Sequence, residues 1–284
     1  MRLFALTCLV MIAFAANSIL GRWAIGSEYM DATGFGLLRL ASGAAALWLM
    51  CAVQGQRPAE DRWRSIAGGA ALTLYMVGFS VAYAALDAGL GALILFGVVQ
   101  VSMFGWGIAR RQPVAGLQVI GAVIALAGLA YVVWPGGDVQ APLWAVVCMG
   151  AGGLGWGIYS LLGRGASSPL AASAVNFLLA TGMILPALWF LGGGTVVTAF
   201  GCLLAVISGA VTSGMGYALW YRVLPQIPGP VAATVQLSVP VIAILAGAVI
   251  LGEPIGARLT LGALVVLGGI AVVILCAPRK SRLR

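Results

Sequence analysis

The feature that most constrains this chain is a succession of apolar runs, each long enough to cross a bilayer. A helix rises 1.5 Å per residue, so about 20 apolar residues span a hydrocarbon layer roughly 30 Å thick. Such runs lie near Leu3–Leu20, Thr33–Val53, Ile66–Ala85, Gly91–Ile108, Val114–Trp134, Leu143–Leu162, Leu170–Leu191, Ala199–Tyr221, Val231–Leu251 and Leu259–Ala277. They predict an all-α integral membrane protein with ten transmembrane helices. Composition agrees: 62% of residues are hydrophobic and 8% charged, against about 25% charged in a soluble domain. The 41 glycines sit inside the runs beside Ala, Leu and Val, where small residues let membrane helices approach closely.

Several chemistries are excluded. Cys8, Cys51, Cys148, Cys202 and Cys276 all fall in apolar segments, form no CxxC pair, and have no histidine to complete a metal set. They read as small buried hydrophobes, and no metal or other cofactor is expected. A serine nucleophile would lack its histidine base. The acids Glu28, Asp31, Glu60, Asp61, Asp87, Asp138 and Glu253 fall in loops or at helix ends, so an intramembrane acid pair is absent. The reading is a non-enzyme. The net charge of +8 comes from basic residues scattered singly between the runs, which argues against a nucleic-acid partner.

Their placement encodes orientation instead. If the N-terminus is cytoplasmic, twelve basic residues lie on the inside, among them Arg57, Arg164, Arg279, Lys280, Arg282 and Arg284, and only Arg22 and Arg258 lie outside. That asymmetry predicts both termini in the cytoplasm and a multi-pass protein of a bacterial inner membrane. Arg2 ahead of the first run and Ala15-Ala16 near its end imitate a signal peptide, but the repeat below makes that run a permanent helix. Arg39, the remaining basic residue, lies inside the second run. Being nearer its outer end, it is expected to snorkel or to pair with Glu28 or Asp31.

The chain also repeats itself. Ser18-Ile19-Leu20-Gly21-Arg22 recurs as Ser160-Leu161-Leu162-Gly163-Arg164. Gly78-Phe79, Tyr83, Leu86 and Gly91 are matched by Gly216-Tyr217, Tyr221, Leu224 and Gly229, and Val99-Gln100-Val101-Ser102 by Val235-Gln236-Leu237-Ser238. Gly121-Ala122, Leu126 and Gly128 answer to Gly262-Ala263, Leu267 and Gly269. Two units follow, 1–137 and 138–284. Because five is odd, the second unit enters the membrane upside down, giving two inverted-topology repeats of five with a substrate site expected between them.

With Pro240, then Leu251-Gly252-Glu253-Pro254 and a Gly-rich last helix, this layout resembles the EamA branch of the drug/metabolite transporter superfamily over essentially the whole chain. Within it, the aromatic residues of the third and fourth helices look like those of the aromatic amino acid and paraquat exporters. The resemblance implies a secondary transporter that exports small molecules by alternating access. The first half departs from the pattern, carrying Arg110-Arg111-Gln112-Pro113 where the second has Leu251-Gly252-Glu253-Pro254, so Glu253 is read as structural.

Tyr75, Phe79 and Tyr83 share one helical face, with Ser213, Tyr217 and Tyr221 at the corresponding places of the second half. Such a stripe can line a cavity for amphipathic substrates. Tyr75, Phe79 and Tyr217 are candidates for that lining, with Trp106 and Trp156 beside them, whereas Tyr83, Trp220 and Tyr221 read as interfacial anchors. Gln100 and Gln236 must face protein or water; they and Asn17, Asn176 and Ser238 are candidates either for substrate contact or for helix-to-helix hydrogen bonds. Without a midplane acid, a zwitterion suits the chain better than a cation. The expectation is export of neutral and aromatic amino acids by a protein able to act as a monomer, with another metabolite, a cationic drug, or a channel as alternatives.

Overall fold

The computed structural model describes residues 2–56, 61–111, 114–134, 141–163, 168–191, 196–223, 226 and 235–276, with the side chain of Tyr221 excepted. Among these the chain is helical, and the one extended pairing is an isolated bridge between Met30 and Val197. The helices are α1 (Arg2–Gly26), α2 (Ala32–Val53), α3 (Arg62–Ala82), α4 (Ala88–Ala109), α5 (Gly116–Val133), α6 (Leu143–Gly163), α7 (Pro169–Phe190), α8 (Ala199–Val206, Ile207–Met215 and Gly216–Val223), α9 (Ser238–Leu251) and α10 (Ala257–Leu275). Nine of them are long and apolar enough to cross a bilayer, and α9 is a shorter apolar helix. The predicted start of α9 at Val231 lies outside the described residues. So do Arg57, Arg164, Leu224, Gly229, the basic residues from Arg279 onward and the junction between residues 137 and 138.

Local chemistry sets the ends and breaks. Asp31 caps α2 by accepting from the Gly34 N–H at 2.8 Å, and Asp61 and Thr198 cap α3 and α8 in the same way. In α7 the α-helix stops at Met183 and restarts at Leu185, because the Pro186 ring lacks an N–H and crowds the preceding turn. The middle of α8, Ile207–Met215, is wound as a π-helix, a local widening that often marks functional sites. At the end of α9, Gly252 takes a left-handed φ of 69°, which a residue without Cβ adopts at no steric cost. That turn sends Glu253 back toward the bundle, and the Glu253 N–H reaches Gly247 O at 3.2 Å.

Helices alternate in direction, so the end where α1 begins (the near end) also holds the ends of α2, α4 and α8. The opposite, far end holds the starts of α2, α4, α6 and α8. In the packing, α3 lies on α6 and α7, α8 on α1 and α2, α5 on α10, and α4 on α6 and α9. The outer surface carries many exposed large apolar side chains, including Leu49, Ile120, Leu178, Val249 and Leu264, as a lipid-facing surface requires. Exposed Trp63, Trp134, Trp144 and Trp189 stand at helix ends, the level of the aromatic belts.

Candidate functional site

Helices α1, α3, α4, α6 and α8 converge on a central chamber walled by aromatic rings. Trp156 from α6 is the hub: its ring centroid lies 4.7 Å from Tyr217, 5.1 Å from Tyr75, 5.5 Å from Tyr159 and 6.1 Å from Phe14. Phe79 continues the wall from Tyr75 at 5.4 Å, and Tyr83 follows at 4.6 Å. The i, i+4, i+8 spacing in α3 puts the three on one face, and the π-helix in α8 delivers Tyr217 to the same centre.

Polar groups enter this wall at a few points. Asn17 Oδ1 accepts from Ser208, Thr212 and Ser213 hydroxyls at 2.9, 2.5 and 3.2 Å. Those three residues share the π-wound segment of α8. Ser213 Oγ in turn accepts from Arg39 Nε at 3.1 Å, and the Tyr75 hydroxyl accepts from Arg39 Nη2 at 2.9 Å. The Arg39 guanidinium lies 4.6 Å from the Phe79 centroid and 5.4 Å from that of Tyr75, close enough for cation–π attraction.

Arg39 corrects the sequence expectation. It neither snorkels nor pairs with Glu28 or Asp31; it is fully buried, held by Ser213, Tyr75 and two rings. The reason is helical phase: its position in α2 points inward at α3 and α8. Burying a charge costs several kcal/mol when no counter-ion accompanies it, and among the described residues no carboxylate lies within 4 Å of it. Among the described residues its Nη1 has no hydrogen-bond partner.

Inside the aromatic wall the free volume is only about 20 Å³, room for about one water molecule. Its lining includes Phe14, Asn17, Ser18, Tyr75, Trp156 and Tyr217. Toward the near end a larger cavity of about 520 Å³ opens between α1, α2, α7 and α8, lined by residues such as Leu9, Ala13, Met50, Gly216 and Arg222. Ala13 and Gly216, which line it, are the chain neighbours of Phe14 and Tyr217, whose rings meet in the chamber wall with centroids 5.8 Å apart.

The far end is closed by charge. Arg22 reaches Asp87 Oδ1 and Glu253 Oε1, each at 3.4 Å, and donates to Tyr83 O at 3.2 Å. Both Glu253 oxygens lie 2.9 Å from the Ala88 N–H, at the first turn of α4, where the helix dipole favours an anion. The Leu251-Gly252-Glu253-Pro254 stretch thus ties α9 to α1 and α4.

Burial pushes the Glu253 carboxyl above the usual carboxylate range; the Ala88 N–H opposes this, Asp87 adds to it, and Arg22 opposes it. A carboxyl whose pKa is raised when closed and ordinary when exposed binds its proton more tightly in the closed arrangement. Protonation therefore stabilises the arrangement seen here relative to one that exposes Glu253, and that contribution fades as pH rises through the raised pKa. A cysteine replacing Ser18, beneath this cluster, is expected to be labelled faster from the far side as pH rises from the ordinary carboxylate range toward neutrality. In Glu253→Gln that pH response should vanish; a response unchanged by the substitution would assign it elsewhere.

Of the residues singled out from the sequence, Asn17, Tyr75, Phe79, Trp156 and Tyr217 meet at the chamber. Trp106 stands apart, 46% exposed, with the Arg110 guanidinium 4.7 Å from its ring. Asn176 is buried in α7 against Gly68 of α3. Ser238 donates to Val235 O at 2.6 Å, and Gln100 and Gln236 are half-buried on α4 and just ahead of α9. Tyr83 and Trp220 are not interfacial anchors. Both are buried: the Tyr83 hydroxyl donates to Ala88 O, and Trp220 packs on Phe14 with centroids 6.0 Å apart. The α3 and α8 ends carrying them are folded under neighbouring helices. Sequence reasoning missed Phe14, Tyr159, Ser208 and Thr212; the hydroxyl at 208 and, about one helical turn on, the adjacent pair at 212 and 213 inside an apolar run were the available signal.

Residues 143–275 match the EamA-like transporter family. The chain is 44% identical over 283 residues to "Uncharacterized protein PA1977" of Pseudomonas aeruginosa, covering 99% of this chain and 96% of that one. It is 25% identical over 267 residues to "Uncharacterized transporter YwfM" of Bacillus subtilis, covering 91% and 89%. A crystal structure of a protein 16% identical in sequence superposes with a TM-score of 0.71 over 97% of this chain and 98% of the other, a likeness of fold. With a helical membrane bundle around a central chamber and these relatives, the chain is a multi-pass membrane protein whose residues 143–275 form an EamA-like transporter family domain.

Proposed function

We propose that this protein exports amino acids, aromatic and other neutral ones, from the cytoplasm of a bacterium across its inner membrane by alternating access. The observation that carries the reading is the central chamber: aromatic rings for an apolar side chain, amide and hydroxyl groups for polar atoms and, among the described residues, no acid on its lining, with the buried Arg39 cation behind Tyr75 and Phe79. Such a lining disfavours a purely cationic substrate.

Two units, 1–137 and 138–284, related as inverted repeats would supply the mechanism. In support, the packing maps onto itself when each helix is exchanged with the one five places on: α3 on α6 and α7 becomes α8 on α1 and α2. At the α5–α10 seam, a Cβ on Gly121 would lie 2.7 Å from Gly269 O, and one on Gly262 would lie 3.6 Å from Gly128 O. The sequence repeat equates Gly121 with Gly262 and Gly128 with Gly269, so these are one contact seen twice.

With both termini cytoplasmic, the wider cavity faces the cytoplasm and the Arg22–Asp87–Glu253 cluster closes the outside. Substrate would enter from the near end, part Phe14 from Tyr217, and leave when the far cluster opens. Counterflow of labelled phenylalanine and leucine in proteoliposomes tests this. Saturable counterflow is expected; flux without counterflow would indicate a channel, and no flux would remove amino acids as substrates. Replacing Tyr75, Phe79 or Tyr217 with Ala is expected to reduce counterflow about tenfold or more, through loss of a ring contact and, for the two tyrosines, of a hydroxyl as well. Unchanged counterflow in all three would move the pathway away from the chamber.

A further inference from the structure

We infer that Arg39 is the recognition site for the anionic group of the transported molecule, a carboxylate in the amino acid reading, on which this inference rests. The geometry supplies three arguments. The guanidinium is fully buried, is always charged, and lacks a carboxylate partner among the described residues. A cation so placed calls for an anion that comes and goes.

Its donors, moreover, are unevenly used. Nε and Nη2 are directed by Ser213 and Tyr75, while Nη1 is left without an acceptor among the described residues. A planar guanidinium with a free N–H beside an occupied one is half of the fork that binds a carboxylate through two parallel hydrogen bonds.

The cation also lies directly behind the chamber wall. Its two stacking partners, Tyr75 and Phe79, line the chamber, and the Ser213–Asn17 chain leads from its Nε to the chamber polar wall. In the contracted arrangement these rings cover the guanidinium. Movement of Tyr75 and Phe79 with α3, as the chamber enlarges, uncovers Nη1 and lets the carboxylate take the place of the Tyr75 hydroxyl at Nη2. The substrate side chain then occupies the ring-lined space around Trp156.

The test is calorimetric binding to the full-length purified protein of three probes that share one ring: L-phenylalanine, phenylpyruvate, which keeps the carboxylate without the ammonium, and L-phenylalaninamide, which keeps the ammonium without the carboxylate. Both carboxylates are expected to bind about 30-fold or more tightly than the amide, as befits a buried charge pair. In Arg39→Gln that preference should fall to about twofold or less, and Arg39→Lys should keep its direction with a smaller size. Should Arg39→Gln fail to fold, Ser213→Ala serves instead: losing the hydroxyl that directs Nε should weaken both carboxylates about threefold or more and leave the amide unchanged. Binding of phenylpyruvate without phenylalanine would uphold the role of Arg39 and remove the amino acid reading. An amide that binds as tightly as the acids, a preference that survives Arg39→Gln, or binding by neither carboxylate would overturn the inference.

Discussion

Alanine at Gly155 is expected to collapse the yield of folded protein, while alanine at Gly150 in the same helix leaves it unchanged. At the α3–α6 seam a Cβ on Gly155 would lie 2.6 Å from both Ala71 O and Tyr75 N. These are backbone atoms of α3 and cannot rotate aside. Gly78 and Gly152 approach one another across the same seam, where Gly152 would meet Phe79 N at 3.1 Å. Without a hydrophobic drive between helices in lipid, association depends on such close backbone packing, so one methyl group forces the pair apart at a cost at the upper end of the about 1–3 kcal/mol of overpacking. At Gly150 an added Cβ would meet nothing nearer than Val98 at 4.0 Å, and alanine improves helix propensity by up to about 1 kcal/mol. Monodisperse yield after detergent extraction and the unfolding midpoint check both. Equal yields would mean that the seam tolerates separation. Because Tyr75 and Trp156 also face each other across it, any surviving Gly155→Ala protein should bind substrate less well.

The number and place of the helices were legible because the solvent dictates them: lipid demands closed backbone hydrogen bonding and apolar faces, and both leave long runs in the sequence. Breaks inside the helices were partly legible. Pro186 announces the interruption of α7, whereas the π-wound stretch of α8 arises from how that helix packs on Arg39, Ser42 and Asn17, which no local pattern encodes. The chamber was half legible. A stripe at i, i+4, i+8 specifies a shared face but not its direction, so Tyr75 and Phe79 were singled out while Tyr83, on the same stripe, was set at the interface and is in fact buried. Arg39 shows the limit most clearly. Its cost in lipid is written in the sequence, yet its partners Ser213 and Tyr75 come from two other helices, and only tertiary packing brings them within 3.1 Å.

Trp156 and Trp106 were equal candidates in the sequence, and their surroundings now predict opposite results. Trp156 is 8% exposed and touches Phe14, Tyr75, Tyr159 and Tyr217. Its truncation to Ala empties the middle of the cluster at a cost of about 3–5 kcal/mol, and the four rings around the space lose their common neighbour. Counterflow per folded molecule is expected to drop at least about tenfold, since about 1.4 kcal/mol lost from substrate binding suffices for that. Trp156→Phe retains a ring in the same place and should recover part of it, which separates loss of a wall from loss of the fold. Trp106→Ala removes a ring that faces outward beneath Arg110, and its effect on stability should stay within about 0.5 kcal/mol with counterflow unaltered. If instead Trp106→Ala abolishes counterflow and Trp156→Ala does not, the route of the substrate runs along the outer face of α4 and the central chamber is merely the packed core of the bundle.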